Sequence, residues 1–260
     1  MSGKEHKTDI TGEKLTWQKG SSSPFPWGPH QAPLVLQFGT VMITLEKQGD
    51  SFLYLRDIAG QKVEKQILSK TGKIYLHPVE PVQLPVKVGS HLLIAFKQPV
   101  IVEPQSNRTV FATFPLEIAV SVGRSRAGEN IIDTFSVSRL KYSLYGSVRD
   151  GLICKYWLSD LHNSLPEATP PAEGVIKLAI QNSTAGWKEV NQVVFNAWGM
   201  KLYYGDNQVT LNAGVRIISE STAETSFIDS PLYQGAIIAP EQFTPRLLNQ
   251  QGKTLMKEGY

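Results

Sequence analysis

The chain has 260 residues, 41% of them hydrophobic and 19% charged, with a net charge of +3. That length can bury the core of one large or two ordinary β units, and the composition excludes bulk disorder. The small positive excess excludes the dense basic footprint of a dedicated nucleic-acid binder, and the single cysteine, Cys154, excludes an intramolecular disulfide framework.

Residues 1–32 read as a polar tail followed by a Pro-rich loop. Residues 1–19 lack the apolar core of a signal peptide. No run approaches the ~20 apolar residues of a membrane-spanning helix; Leu92-Leu93-Ile94-Ala95-Phe96 is among the longest. The expectation is therefore a soluble, cytoplasmic protein that does not span a membrane. On that expectation the N-x-S/T matches at Asn107 and Asn182 are not glycosylation sites. Within residues 21–29, Phe25 and Trp27 are isolated apolar anchors on a terminal segment, expected to dock on the protein's own body.

Strand patterning begins at Leu34. Val41, Ile43 and Leu45 alternate with Met42 and Thr44, Gly49-Asp50 supplies a turn, and residues 51–56 answer with Phe52 and Tyr54 opposite Leu53 and Leu55. Ile74-Tyr75-Leu76 reads as a strand that Pro78 interrupts. Leu92, Ile94 and Phe96 share one face of the next. Residues 99–122 are the most regular stretch of the first half, with Ile118, Val120 and Val122 on one side and Pro115 marking an edge or a bulge.

The middle of the chain holds its densest cluster of special residue types. Two aromatic and aliphatic runs, residues 141–146 and 152–157, flank a loop from Gly146 to Gly151 that carries Arg149 and Asp150, the composition of a β-hairpin. Residues 161–174 contain three prolines and read as a loop or linker, with room for one helical turn over 159–165. Strands resume at Ile176, Leu178 and Ile180. Residues 209–217 then alternate strictly, as expected of an antiparallel strand with one buried and one wet face. Residues 241–260 read as a polar C-terminal tail with room for one helix at 246–250.

No long amphipathic helix is evident. The fold class expected is all-β, an antiparallel β-sandwich architecture of two packed β units with little helix, with a single continuous sandwich as the alternative. The divisions expected are 1–32 as tail and loop, 33–135 as the first unit, 136–240 as the second and 241–260 as the tail.

Catalytic spacings are mostly absent. Gly123 to Gly128 has the glycine separation of a phosphate loop, but Glu129 stands where lysine is needed, which reverses the charge a phosphate would meet. His6, His30, His77, His91 and His162 are too scattered for a local zinc motif. Cys154, in a strand, reads as a small buried hydrophobe. Glu80, Glu103 and Glu117 could converge as the acid and base of a glycoside hydrolase, although a glutamate before proline more simply caps a strand end and faces solvent. Trp157, Trp198, Tyr203 and Tyr204 would stack sugars or bases if exposed, and otherwise pack. Arg149 at the hairpin tip is a candidate surface contact, or a partner of Asp133 or Asp150. No catalytic residue, metal ligand or cofactor is assigned. Tyr145, Arg149, Asp150 and Trp157 are the candidate ligand or partner contacts.

Residues 78–85, 99–104, 114–118, 141–146 and 151–156 together resemble the prokaryotic domain of unknown function 432 family, over about residues 35 to 240. The resemblance implies no activity, so it transfers no catalytic residue. The family's association with mechanosensitive-channel genes implies at most a membrane-associated partner. Two expectations follow. One is a non-enzymatic binding or protein-interaction module partnering a membrane channel, or associating with itself through β edges, with the central hairpin in contact. The other is a carbohydrate-binding or carbohydrate-active protein using strand-end carboxylates.

Overall fold

The computed structural model describes the side chains and backbone of residues 25–84, 89–123, 130–139, 141–205, 208–240 and 253–260, and the backbone of 13–17. In its first part lie β1 (Glu13–Trp17), β2 (Gly28–Gln31), β3 (Leu34–Phe38), β4 (Val41–Gln48), β5 (Ser51–Ile58), β6 (Gln61–Ile67) and β7 (Lys73–Val79). There follow β8 (His91–Val102), β9 (Ser106–Pro115), β10 (Glu117–Val122), β11 (Ile131–Phe135), β12 (Tyr142–Tyr145) and β13 (Leu152–Ser159). The last are β14 (Glu173–Asn182), β15 (Lys188–Asn196), β16 (Tyr203–Tyr204), β17 (Val209–Ile217), β18 (Ala223–Ile228), β19 (Ile237–Ile238) and β20 (Lys253–Met256). The only helical element among the described residues is a 3₁₀ turn at Ala197–Gly199, so the all-β sandwich class stands. Residues 159–165 hold no helical turn; His162 instead bridges to Phe111 of β9. The helix expected at 246–250 lies outside the described residues.

Four sheets form two packed pairs. The first sheet runs β1-β3-β4-β5-β6 and the second β11-β10-β7-β2, and their facing side chains make one core around Phe38, Ile43, Tyr54, Leu76 and Val120. The third sheet runs β12-β13-β8-β15. The fourth runs β19-β16-β17-β14-β9, with β18 beside β17 and β20 beside β18. Their shared core includes Ile94, Phe114, Leu178, Phe195 and Leu211. The chain passes between the two pairs from β7 to β8, from β9 to β10 and from β11 to β12. Phe25 docks into the first core against Phe38, and Trp27 packs against both cores, as isolated anchors on a terminal segment should.

Pairing is antiparallel except for β1–β3, β8–β13 and β14–β17. The strictly alternating strand is β17, and its parallel neighbour is a departure from a purely antiparallel sheet. It is also covered more fully than alternation predicts, with Thr210 buried beside Val209 and Leu211. Pro78 does not end β7, because β2 stops opposite Leu76 and no strand on that side needs the missing N–H. Pro115 closes β9, an outer strand of its sheet, where proline is tolerated. Alternation places Arg56 on the Phe52–Tyr54 face, inside the first core. There Asp133 of β11 takes a 2.5 Å bond from Arg56 Nε and a 2.8 Å bond from the Tyr54 hydroxyl, tying the first sheet to the second. Arg56 also lies 5.1 Å from the centre of the Phe135 ring. Asp133 is thus the partner of Arg56, not of Arg149.

Removing one member of a buried ion pair strands the other charge, which costs about 3–5 kcal/mol. Asp133→Ala should lose that amount in urea unfolding. Asp133→Asn, which keeps an acceptor for Tyr54, should lose less.

Candidate functional site

Apart from the Asp133 tie, one buried polar cluster and one cleft gather the chemically capable side chains. The cluster lies on the seam between the sheet pairs. Glu117, at the start of β10, has its carboxylate ion-paired with Lys155 of β13; their side chains are 0% and 4% exposed. The loop after β7 completes the shell: Gln83 N–H donates to Glu117 Oε2 at 3.0 Å, and Gln83 Nε2 donates to Glu80 Oε2 at 3.2 Å. Lys155 Nζ and the Tyr142 hydroxyl both donate to the Leu84 carbonyl, at 3.5 and 3.1 Å. Burial pushes the Glu117 carboxyl up and the Lys155 ammonium down, and each partner's charge opposes the shift. Glu80 and Glu117 therefore do come together, through Gln83, yet both are buried, whereas for Glu80, before Pro81, a solvent-facing strand cap was the simpler expectation. Glu103 is elsewhere, half-exposed and bonded to Arg108 at 2.6 Å. A carboxylate with no exposed surface and a lysine on it meets no substrate, so this cluster is built to hold the seam.

The cleft lies between the outer face of the second sheet and the rim of the fourth, and encloses about 800 Å³. Along β7, Ile74 and Leu76 enter the first core, so Lys73, Tyr75 and His77 fall on the opposite face. Ser121 of β10 stands directly opposite Tyr75, and Ala119 opposite His77. Trp27, just before β2, closes one end, with its ring 6.1 Å from that of Tyr204. Tyr204 of β16 pairs with Ile237 of β19 in the facing wall, which Ile238 extends. Lys73 Nζ sits 5.2 Å from the Tyr75 ring centre. Burial lowers the His77 pKa to about 4, so its imidazole is neutral at pH 7. Trp27 Nε1 is buried without a hydrogen-bond partner among the described residues, a cost of about 1–3 kcal/mol.

The central hairpin forms as β12 and β13, with Tyr145 opposite Leu152. Its loop needs its glycines. Gly146 has φ +95°, and a Cβ on Gly151 would collide with the Ser147 and Tyr145 carbonyl oxygens. The four candidate contacts are spread along it. Tyr145 is buried, its hydroxyl donating to Gly259 O at 2.8 Å and accepting from Glu258 N–H at 3.0 Å. Arg149 and Asp150 are exposed in the loop, where Asp150 N–H bonds Ser147 Oγ at 3.1 Å. Trp157 is five residues beyond Leu152 on β13, roughly 17 Å along the strand and on the other face from Tyr145. Its Nε1 donates to Thr113 Oγ1 at 3.0 Å beside a smaller hollow that Lys97 and Asp160 border. Cys154 is buried, its thiol pushed up to about 12 by desolvation, too high for a nucleophile at neutral pH. No group of three or more metal-ligating side chains assembles among the described residues, and no helix there is long and apolar enough to cross a membrane.

Of the cleft residues, the sequence reading singled out Tyr204 as a stacking aromatic and Trp27 as a docking anchor. It passed over Lys73, Tyr75 and Ser121, and set His77 aside with the scattered histidines. The available signal was the phase of β7: a cation, an aromatic and an imidazole recur every second residue, opposite the face that enters the core.

Two tests follow. In the unfolded chain His77 takes a proton near pH 6.5, but in the folded protein only near 4. Between those values the unfolded state holds the extra proton, so stability falls as pH falls, by about 3 kcal/mol in full. His91, also lowered by burial, adds to the same slope. His77→Gln should flatten the loss between pH 6.5 and 4 in urea titrations; an unchanged slope would clear this imidazole of the effect. At the seam, Lys155→Met should cost about 3–5 kcal/mol by leaving Glu117 buried and unpaired. The double variant Glu117→Gln/Lys155→Met should recover most of it, since coupled partners are not additive.

No curated protein and no solved structure matches the chain. Residues 26–258 match one family, described as proteins of unknown function (DUF432), and that span covers nearly the whole chain, in agreement with the resemblance carried by its Pro-Val-Glu-Pro and Lys-Tyr-Ser-Leu-Tyr-Gly stretches. The chain belongs to the DUF432 family.

Proposed function

We propose that this protein is a non-enzymatic binding module that meets a protein partner through the outer face of the β12–β13 hairpin. The observation that supports this is a row of solvent-exposed apolar side chains on one short element. Tyr142 is 43% exposed, Leu144 42%, Ile153 51% and Val148, in the loop, 95%. Leu144 and Ile153 stand directly opposite each other. Single exposed apolar residues are ordinary, but a cluster with a polar rim is the anatomy of an interface. Arg149 and Asp150 supply that rim. The element is also held stiffly, by Tyr142 on the Leu84 carbonyl at one end and by Tyr145 on residues 258 and 259 at the other. Stiffness lowers the ordering cost of binding.

The partner class comes from the family resemblance alone, which implies at most a membrane-associated partner; a membrane channel is the one we propose. Because β12 is the outermost strand of its sheet, self-association by strand pairing is the competing use of the same face. The carbohydrate-active alternative draws less support. It needs two carboxyl groups reaching one sugar ring, whereas Glu117 is sealed under Lys155 and Glu103 is engaged by Arg108 on the surface.

The test uses a mechanosensitive channel of the same organism in lipid nanodiscs, with binding read by interferometry. The unaltered protein should bind, and Leu144→Asp and Ile153→Asp should each weaken binding about tenfold or more. No binding by the unaltered protein would overturn the channel as partner. Concentration-dependent dimerisation lost in the same variants would assign the face to self-association instead.

A further inference from the structure

We propose that the cleft floored by Tyr75, His77 and Ser121 is a binding site for a small organic anion with a flat, unsaturated body, of the class of a fused-ring aromatic carboxylate. The inference does not rest on the hairpin face, which is a separate surface. Its first support is size. About 800 Å³ lies within the range of small-molecule sites, and well above the gaps of ordinary packing. The second is shape. Three aromatic side chains, Trp27, Tyr75 and Tyr204, and two exposed isoleucines, Ile237 and Ile238, line one space. Ring faces and aliphatic walls together favour a planar apolar body.

Charge decides the rest. Lys73 brings a full positive charge to the Tyr75 end of the cleft, and no described carboxylate is paired with it. No acidic side chain stands among the described residues of the lining, and none of them carries a carboxamide. His77 adds no second charge at neutral pH, because burial holds it in its neutral form. A polyol such as a sugar would look for carboxylates and carboxamides to take up its hydroxyls, and the lining offers an ammonium and the Ser121 and tyrosine hydroxyls in their place. A cationic ligand would meet Lys73. A monoanion with its charged end at Lys73 and its rings over Tyr75 suits both. Lys73 and His77 are four residues apart along β7, roughly 13 Å. Two fused rings bearing a carboxylate fill that distance once contact radii are allowed at each end.

The probes are 2-naphthoate, its neutral counterpart 2-naphthamide and the ring-free anion octanoate, each titrated into the full chain by calorimetry. Naphthoate should bind about tenfold or more tightly than either of the others, the naphthamide deficit reporting the charge and the octanoate deficit the ring. Lys73→Met should reduce naphthoate to the affinity of naphthamide while leaving naphthamide unchanged, and Lys73→Arg should restore it. Tyr204→Ala should weaken naphthoate and naphthamide together. Ile153→Asp, on the hairpin, should change none of these, so failure of one proposal leaves the other standing. No naphthoate binding at about 1 mM, or equal affinity for the acid and its amide, would overturn the site as an anion site. Octanoate binding as tightly as naphthoate would overturn the flat body.

Discussion

The buried ion pair between Glu117 and Lys155 is the constraint on which the arrangement of the molecule depends. It joins β10 of the second sheet to β13 of the third, and thus the two sheet pairs, at a point water does not reach. Taking two charges out of water is expensive, and their attraction offsets the cost only when the remaining donors and acceptors are satisfied. Here the loop after β7 does that: the Gln83 N–H serves the carboxylate, and the Leu84 carbonyl serves the ammonium. The same loop therefore cannot move without unsatisfying the pair. Apolar contact alone tolerates sliding, whereas a pair of charges with two named partners each fixes one register. The seam sets the second sheet against the units that carry the third and fourth, and the width of the cleft between the second and fourth follows from it.

The same device recurs inside the first sheet pair. Asp133 receives Arg56 and Tyr54 across the core, so the first and second sheets are pinned by a polar tie as well as by Phe38, Leu76 and their neighbours. In both cases the acidic residue lies on the second sheet and the basic residue on the sheet that meets it. That sheet is consequently fixed from both faces, one inside its own sandwich and one at the seam. Its outer surface, the floor of the cleft, is rigid for that reason. The chain's route adds to this coupling. It leaves the second sheet at β7, builds β8 and β9 into the third and fourth, and returns for β10 and β11. A cut at residue 135 would take β8 from β13 and β15, and β9 from β14.

What the sequence made legible was whatever depends on near neighbours. Period-2 alternation marked β4, β5, β10 and β17, and Gly49-Asp50 and the Gly146–Gly151 loop marked two hairpins, because strand phase and turn chemistry are local. The family was legible from short stretches spread over the chain. The parallel pairings of β8 with β13 and of β14 with β17 were not, since nothing in either strand records which distant strand lies beside it. Nor was the passage of β7 through Pro78, which depends on where β2 stops.

The site was hidden for a more specific reason. Glu117 and Lys155 are 38 residues apart, and each looks ordinary beside its neighbours: a glutamate after a proline-leucine turn, a lysine between a cysteine and an aromatic. Their burial is decided by the packing of one sandwich on the other, which covers faces that a single sandwich would leave wet. A strand whose two faces are both covered ceases to alternate in burial, and β10 is such a strand, buried at Glu117, Ala119 and Ser121 as well as at Ile118 and Val120. Polar residues on its second face are therefore retained against desolvation, and each must have a partner or a use. Glu117 has Lys155. Ser121, next to Tyr75 on the floor of the cleft, is placed where a ligand can give it one.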